Sequence, residues 1–177
     1  IPSGTMRRIT TNNIMPTANS ANWASSTLIN VGLPVSSAPS AAVDETNRLW
    51  IYFGTGRFYN REDIAQTKNM SFFGIKEPVN ATATTRTYSW NTVSTNDLYN
   101  SSQIILTSSC PEDVFTKDCI NVNKVTPSGN YTMDWDGLLD DVNNSTGGWR
   151  NDFSEGWERV LGQAAVLGGA VLFTTYI

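Results

Sequence analysis

The chain has 177 residues, of which 40% are apolar, 11% are aromatic and 16% are charged. This balance is typical of one ordered, all-β domain with a core of its own rather than of a disordered tail. The formal net charge of −4 and the isoelectric point near 4.7 provide no basic surface, so we expect no nucleic-acid partner. Histidine is absent, which excludes a Ser-His-Asp triad, a Cys-His dyad and any His-ligated zinc or iron site within this chain.

The first predicted element is a short strand at residues 4–10, and residues 23–31 are expected to form either a weak edge strand or an irregular return. Three runs then predict an antiparallel meander: small residues at 34–43, followed by apolar runs at 49–53 (LWIYF) and 70–75 (MSFFGI). β-Branched and aromatic residues favour a pleated surface, and a short apolar run bounded by glycine is typical of a strand that is buried on both faces. A meander of this kind is the organisation of one β-propeller blade.

The connections of this meander differ in length. A turn is expected at residues 44–47, whereas residues 58–68 are longer than a hairpin loop needs to be and are expected to fold over one end of the blade. The Gly-Thr-Gly run at residues 54–56 predicts a tight turn, because no strand-to-helix context follows that would make it a phosphate-binding loop. Three arginines are expected to be charges at a blade edge rather than ligand-binding groups: Arg7, Arg8 and Arg57.

Residues 107–148 form the least regular segment, and we interpret them as a loop-rich insertion at the edge of a blade. The segment contains the two cysteines of the chain, Cys110 and Cys119. A disulfide between them closes a small loop with a stabilisation of roughly 2–4 kcal/mol, and it implies an oxidising compartment. The alternative is two free thiols in a cytosolic loop, since the spacing does not fit a Cys-x-x-Cys redox pair.

An acidic cluster in the same segment is the one candidate metal site. Asp134, Asp136 and Asp140 begin like a calcium-binding loop, but Leu138 stands where an EF-hand needs its next oxygen donor. We therefore expect a solvated acidic loop, with Ca²⁺ binding by the three aspartates as the alternative. Paired carboxylates also serve glycoside hydrolysis, but the sequence shows no substrate groove.

Residues 160–177 contain no charged side chain, so a membrane-spanning helix has to be weighed against a hairpin. Gly168 and Gly169 lie between two apolar runs, as the residues of a two-residue hairpin turn do. The second run, at 170–176, is rich in strand-forming residues, and the whole stretch is barely long enough to cross a bilayer. We therefore expect a hairpin and no membrane span. This hairpin repeats the pattern of residues 34–55, and such recurrence is typical of a propeller.

Several short motifs recur in an order that one protein family shares. They lie at residues 37–39, 49–57, 71–75, 148–149, 158–160 and 173–175. These motifs resemble the C-terminal β-propeller of the PilC/PilY-type adhesins, which are associated with the tips of type IV pili in Gram-negative bacteria. The likeness runs from about residue 4 to the end, except over residues 107–148. The chain is similar to the last two or three blades of the family's larger propeller.

The resemblance implies that residues 1–177 form a partial β-propeller of antiparallel four-stranded blades, with 107–148 as an insertion. It implies a non-enzymatic module for adhesion and pilus assembly, located outside the cell at the pilus tip or the outer-membrane surface. The expected partners are the remaining part of the propeller or another chain, minor pilins at the pilus tip, and a host or solid surface. No cofactor is expected apart from the Ca²⁺ alternative. The competing hypothesis is a fragment of a quinoprotein-like propeller enzyme, which needs a cofactor cavity built from more blades.

Overall fold

The structure is a computed structural model that describes residues 4–10, 23–65, 67–81, 86–110 and 117–177. Within these ranges the chain forms fourteen β-strands and one α-helix, α1 (Trp135–Asn144). The strands are β1 (Thr5–Thr10), β2 (Ala24–Asn30), β3 (Ser40–Val43), β4 (Leu49–Gly54), β5 (Ser71–Lys76), β6 (Val79–Ala81), β7 (Arg86–Tyr88), β8 (Leu98–Asn100), β9 (Ile104–Ser108), β10 (Ile120–Thr126), β11 (Gly129–Met133), β12 (Gly148–Asp152), β13 (Ala165–Leu167) and β14 (Ala170–Leu172). Short 3₁₀ helices lie at Arg61–Ala65, Thr95–Asp97 and Lys117–Cys119.

A five-stranded sheet with the order β3-β4-β5-β12-β8 forms the centre of the fold. The meander β3-β4-β5 is antiparallel, as the sequence predicts. Strand β12 pairs antiparallel with β5, and β8 adds a parallel strand at its far edge. The prediction of a mainly β fold is confirmed. The sheet nevertheless differs from the expected four-stranded antiparallel blade because of the parallel fifth strand, and no sheet in the described ranges closes on itself.

One face of the central sheet is covered by the antiparallel pair β1-β2. Side chains on a strand alternate between its two faces, so Phe53 of β4 and its cross-strand neighbour Phe73 of β5 point to the same side. Their rings stack with centroids 5.3 Å apart. Leu28 and Ile29 of β2 pack against them and are fully buried. The strands predicted at residues 4–10 and 23–31 are therefore confirmed, and they form one layer of the core.

The C-terminal segment covers the opposite face of the sheet. Phe72 of β5 is fully buried there, and its ring stacks on Phe173 with centroids 3.9 Å apart. Met70, Val160 and Ala164 complete this second core cluster. The central sheet therefore lies between two layers that come from opposite ends of the described chain.

The predicted C-terminal hairpin is confirmed. Strands β13 and β14 pair antiparallel, and the turn between them consists of Gly168 and Gly169 with φ of 57° and 81°. Two successive residues with positive φ are what a type I′ turn requires, and glycine adopts this conformation without a steric penalty. Within the described ranges, no helix combines the length and the apolar character that a bilayer crossing requires.

The predicted turn between β3 and β4 is also confirmed, and Asp44 organises it. Its Oδ1 accepts hydrogen bonds from the backbone N–H groups of Thr46 and Arg48 at 2.8 and 2.9 Å. Its Oδ2 accepts from the indole N–H of Trp50 at 2.8 Å. Burial raises the pKa of Asp44, but these hydrogen bonds outweigh it and lower the pKa to about 2. The ionised carboxylate thus stabilises the turn that sets the register between β3 and β4.

The Gly-Thr-Gly run is not the tight turn that the sequence predicts, because it continues β4 in extended form. The Thr55 N–H donates to the carbonyl of Ser71 at 2.9 Å, and the Thr55 carbonyl accepts from the N–H of Val160 at 3.0 Å. A Cβ atom on Gly54 would lie 2.3 Å from the Cβ of Val160. The glycine is needed here for the close approach of the C-terminal segment rather than for a turn.

Residues 107–148 are more regular than the loop-rich insertion that the sequence predicts. Strands β9, β10 and β11 form an antiparallel three-stranded sheet, and α1 follows directly. Asn, Thr and Lys side chains interrupt the apolar residues of β10 and β11, so these two strands show no sustained apolar alternation in the sequence. The assignment of residues 107–148 as an insertion stays a prediction. The disulfide between Cys110 and Cys119 is confirmed, and it lies in the connection between β9 and β10 with a Cα–Cα distance of 5.1 Å.

Lys76 ties this second sheet and its helix to the central sheet. Its side chain is buried at the end of β5, and its Nζ donates to the carbonyls of Val142, Asn143 and Ser145 at 2.6, 3.1 and 3.1 Å. These carbonyls belong to the C-terminal end of α1, where the helix dipole favours a positive charge. Burial lowers the pKa of Lys76 to about 8, so the ammonium group stays charged at neutral pH.

The contact between Gly54 and Val160 can be tested with Gly54→Ala. The added methyl group overlaps Val160, so we expect the free energy of unfolding to fall by roughly 1–3 kcal/mol. Urea denaturation followed by tryptophan fluorescence measures this change. The matched control is Gly162→Ala, where the nearest group is the Thr174 hydroxyl at 3.6 Å and the effect should stay within about 0.5 kcal/mol. Equal stability of the two variants would contradict the packing described here.

Candidate functional site

The candidate functional site is the end of the central sheet at which three chain segments meet, and we call it the loop end. Strands β4 and β12 both run antiparallel to β5, so the connections that follow them leave from the same edge. The loop end comprises residues 55–65 and 67–70 after β4, residues 153–164 after β12 and residues 173–177 after β14. Connections that a rigid scaffold holds in place are where binding residues concentrate in many folds.

Asp63 holds the long connection between β4 and β5 in place. Its side chain is only 1% exposed, and its Oδ1 accepts from Nε and Nη2 of Arg57 at 2.8 and 2.6 Å. Its Oδ2 accepts from the backbone N–H groups of Tyr59 and Asn60 at 2.9 and 3.2 Å. The backbone bond from Tyr59, together with the guanidinium group of Arg57, lowers the pKa of Asp63 against the effect of burial. The connection therefore folds over the end of the sheet, as predicted, around one ionised carboxylate.

A second arginine, Arg159, joins the other two segments to this connection. Its guanidinium group is buried and donates to the carbonyls of Trp157 and Asp63. Its backbone pairs with Tyr176 in both directions at 2.9 and 2.7 Å. The guanidinium carbon also lies 6.0 Å from the ring centroid of Phe58, within the range of a cation–π contact. The three segments of the loop end are thus fixed to one another through a single residue.

Four aromatic side chains are exposed around Arg159, and we call them the aromatic surface: Phe58, Tyr59, Trp157 and Tyr176. Their exposed fractions are 41%, 74%, 52% and 49%, in that order. The rings of Phe58 and Tyr176 are in contact, with centroids 5.4 Å apart. A group of exposed aromatics on an anchored base is typical of a binding surface, because large rigid rings contribute contact area at little cost in side-chain entropy.

Two clefts open at the loop end. The first, which we call the Arg57 cleft, has a volume of about 370 Å³ and is lined by Thr5, Pro34, Val35, Ser36, Arg57 and Tyr59. The second has a volume of about 450 Å³ and contains two carboxylates, Asp152 and Glu158, above the side chains of Phe153 and Phe173. The two clefts therefore differ in charge: one contains an arginine and the other contains acidic groups.

The three aspartates of the predicted metal site lie on α1 and its N-terminal cap rather than in a loop. Asp134 is the N-cap and accepts from the N–H of Gly137 at 2.7 Å. Asp136 and Asp140 are exposed on the helix itself. Among the residues that the structure describes, no group of three or more acidic or cysteine side chains is placed to hold a metal ion. Ca²⁺ binding by these three residues stays a prediction.

Two of the arginines interpreted as edge charges are in fact partners of buried carboxylates. Arg8 forms an ion pair with Glu77 at 3.1 Å, and the two side chains are only 10% and 3% exposed. Burial raises the pKa of Glu77, while Arg8 counteracts this shift. Arg57 forms the corresponding pair with Asp63. Asp63 was not predicted as a site residue because it lies in no motif, and the mixed charges of residues 57–63 were its only signal. Arg159 lies in the motif at residues 158–160, but no role was assigned to it.

Sheets stacked face to face, with an anchored set of connections at one end, define a layered β scaffold. No protein-family model matches the chain. No curated protein matches it either. Among solved structures, it is similar to the C-terminal domain of PilY1 from Pseudomonas aeruginosa, with a TM-score of 0.52 and 16% sequence identity. The match covers 88% of this chain and 33% of the chain of that C-terminal domain, so this chain spans about a third of the domain's length. The resemblance predicted from the sequence is confirmed at the level of the fold.

The role of Asp63 can be tested with Asp63→Asn, which removes the charge that Arg57 and two backbone N–H groups share. We expect trypsin to cut within residues 57–65 at least about tenfold faster, because charge-assisted hydrogen bonds are lost. Limited proteolysis followed by mass spectrometry measures the rate. Glu62→Gln is the matched control, since it removes one negative charge from an exposed neighbour in the same connection. Equal cleavage of the two variants would show that Asp63 does not hold the connection.

Proposed function

We propose that the chain is a non-enzymatic adhesion and assembly module of a type IV pilus tip-associated protein. The observation that carries this proposal is the similarity of 88% of the chain to part of the PilY1 C-terminal domain. The loop end supports it, because an anchored aromatic surface on a rigid sheet suits recognition of a partner. The disulfide supports a location outside the cell, at the pilus tip or the outer-membrane surface of a Gram-negative bacterium.

The buried charges of the described residues favour binding over catalysis. Asp63 and Glu77 are paired with arginines, and Arg159 donates to backbone carbonyls. Groups committed to structural contacts in this way are poor candidates for acid–base chemistry, which needs a proton-transfer group in reach of a substrate. The competing hypothesis is a fragment of a quinoprotein-like propeller enzyme. An absorbance change on addition of pyrroloquinoline quinone and Ca²⁺ would favour that hypothesis.

The arrangement of the sheets favours a partial propeller over residues 1–177. In a propeller each blade packs face to face between its two neighbours, and here the central sheet packs between β1-β2 and β13-β14. We therefore assign the central sheet to one blade and the two hairpins to parts of the adjacent blades. Residues 107–148 then form an insertion between β5 and β12, the third and fourth strands of that blade, and this insertion carries its own small sheet.

An apolar groove of about 290 Å³ between β1 and the β3-β4 edge is the surface that a missing part of the propeller would cover. Met6, Ile9, Leu49, Ile51 and Trp90 contribute to its lining. Ile9 is 63% exposed, which is unusual for a β-branched apolar side chain beside a core. The proposed partner for this groove is the remaining part of the propeller or another chain. Minor pilins and a host or solid surface are the proposed partners of the completed module.

Localisation in the source bacterium tests the proposed function. We expect gold-labelled antibodies raised against this chain to bind at the tips of surface fibres. Deletion of the coding region should reduce fibre number or surface attachment at least about tenfold, and complementation with the intact gene should restore both. Label confined to the cytoplasm, or unchanged fibres and attachment after deletion, would contradict the proposal.

A further inference from the structure

The Arg57 cleft combines one arginine, one exposed tyrosine and two hydroxyl side chains. Arg57 contributes the only charge to the cleft among its described lining residues. Tyr59 is 74% exposed although its backbone N–H is held by Asp63, so the ring has a fixed base and an open face. Thr5 and Ser36 are far from Arg57 and Tyr59 in the sequence, but they line the same cleft. The cleft is therefore assembled from three separate segments of the chain.

The contact with Asp63 uses only one edge of the Arg57 guanidinium group. Asp63 accepts from Nε and Nη2, which form the side edge of the group. In the described part of the chain, no protein acceptor bonds to Nη1. The side chain retains 25% of its exposure and lines the cleft. A guanidinium group has five N–H donors in a planar fork, so the end edge formed by Nη1 and Nη2 is available to a second carboxylate.

The ion pair with Asp63 orients Arg57 before any ligand arrives. A guanidinium group that is already held in one rotamer loses less entropy when it binds a carboxylate than a free surface arginine does. The hydroxyl of Ser36 donates to the carbonyl of Gly56 at 2.8 Å, which leaves its oxygen as an acceptor toward the cleft. A ligand that fits these groups carries a carboxylate, hydroxyl donors and a compact ring with an apolar C–H face that packs on Tyr59.

We propose that the Arg57 cleft binds an acidic monosaccharide unit of a surface glycan. The sugar carboxylate accepts from the end edge of Arg57, its ring packs on Tyr59, and its hydroxyls bond to Thr5 and Ser36. This proposal deepens the proposed function and rests on it, because it names the chemical class of surface ligand that the module recognises. The cleft volume of about 370 Å³ lies within the range of small-ligand sites.

The charge distribution of the loop end favours this cleft over its neighbour for an acidic ligand. The chain carries a net charge of −4, so its overall charge disfavours the approach of an acidic sugar. The second cleft contains Asp152 and Glu158, and these carboxylates disfavour a third negative group. Arg57 supplies the local positive charge that an acidic ligand requires. A neutral sugar can accept hydrogen bonds from the guanidinium end edge but brings no opposite charge, so the cleft favours a ligand that carries a carboxylate.

Titration of the purified chain with single sugars tests the proposal. We expect glucuronic acid and N-acetylneuraminic acid to shift the NMR signals of the Arg57 Nε–H and the Tyr59 backbone amide, with dissociation constants in the millimolar range. Glucose is the matched neutral probe, because it carries a hydroxymethyl group where glucuronic acid carries its carboxylate, and it should bind at least about tenfold more weakly. Acetyl-glycyl-glycine is the probe for a carboxylate without a sugar ring and should bind at least about tenfold more weakly.

Variants locate the binding. Arg57→Gln should abolish the shift, and Tyr59→Ala should weaken binding by about tenfold. The second variant keeps the test valid if Arg57→Gln loosens the connection, because the Tyr59 ring lies outside the contacts of Asp63. Arg61→Gln removes an equal charge from an exposed position in the same connection, and Tyr131→Ala removes an exposed tyrosine from β11; neither should change the affinity.

The outcomes separate this proposal from the proposed function. No shift with either acid, equal binding of glucose or of the peptide, or full binding by Tyr59→Ala would each overturn the glycan site. Acid binding by a chain that is absent from pilus tips would support the cleft and contradict the pilus role. Tip localisation without acid binding would support the pilus role and contradict the cleft.

Discussion

Strand β5 has all six of its residues buried, because β4 and β12 pair with its two edges while the β1-β2 pair and the C-terminal segment cover its two faces. Phe72 and Phe73 are adjacent in sequence and therefore point to opposite faces, so each becomes the centre of a different core cluster. Burial of a phenylalanine side chain contributes roughly 1.5–3 kcal/mol. The two clusters thus hold three layers together through one strand, and every other element is placed relative to it.

This arrangement of strands determines where the segments of the loop end lie. The connections after β4 and β12 leave the sheet on either side of the start of β5, and the C-terminal segment reaches them by packing over Gly54. Ion pairs and carbonyl contacts of Arg57, Asp63 and Arg159 then fix these segments to one another. Hydrophobic layers set the position of the scaffold, and charge-assisted hydrogen bonds set the shape of its surface.

The sequence predicts the elements of this fold better than it predicts their contacts. The apolar runs at residues 49–53 and 70–75 identify β4 and β5, and the paired glycines at 168 and 169 identify the terminal hairpin. The sequence contains no such signal for the parallel pairing of β8 with β12, because this pairing depends on how the long connection between the two strands folds back. The role of Gly74 is equally hard to predict from the sequence. A Cβ atom at this position would lie 2.6 Å from the Trp149 ring, so the glycine leaves room for that ring. Trp149 becomes the neighbour of Gly74 only through the pairing of β5 with β12.

The candidate site was less predictable than the fold. Cys110 and Cys119 could be paired from their spacing and context, and the structure confirms the bond. Arg57 was noticed but interpreted as an edge charge, since its partner Asp63 lies in a polar connection without a motif. Arg159 stands in a motif of the family resemblance, yet its contacts with three segments arise only when the C-terminal segment packs on the sheet. Long-range contacts of single charged side chains have no periodicity that a sequence could show.

Native-state hydrogen exchange of the purified chain tests the central place of β5 most directly, because the slowest amides mark the part of a fold that opens only on global unfolding. We expect the amides of β5, with those of β4 and β12 that bond to it, to exchange most slowly of all. The short hairpin β6-β7, which lies outside both core clusters, should exchange much faster. Exchange in β5 as fast as in β6-β7 would contradict the claim that one doubly covered strand holds the layers together.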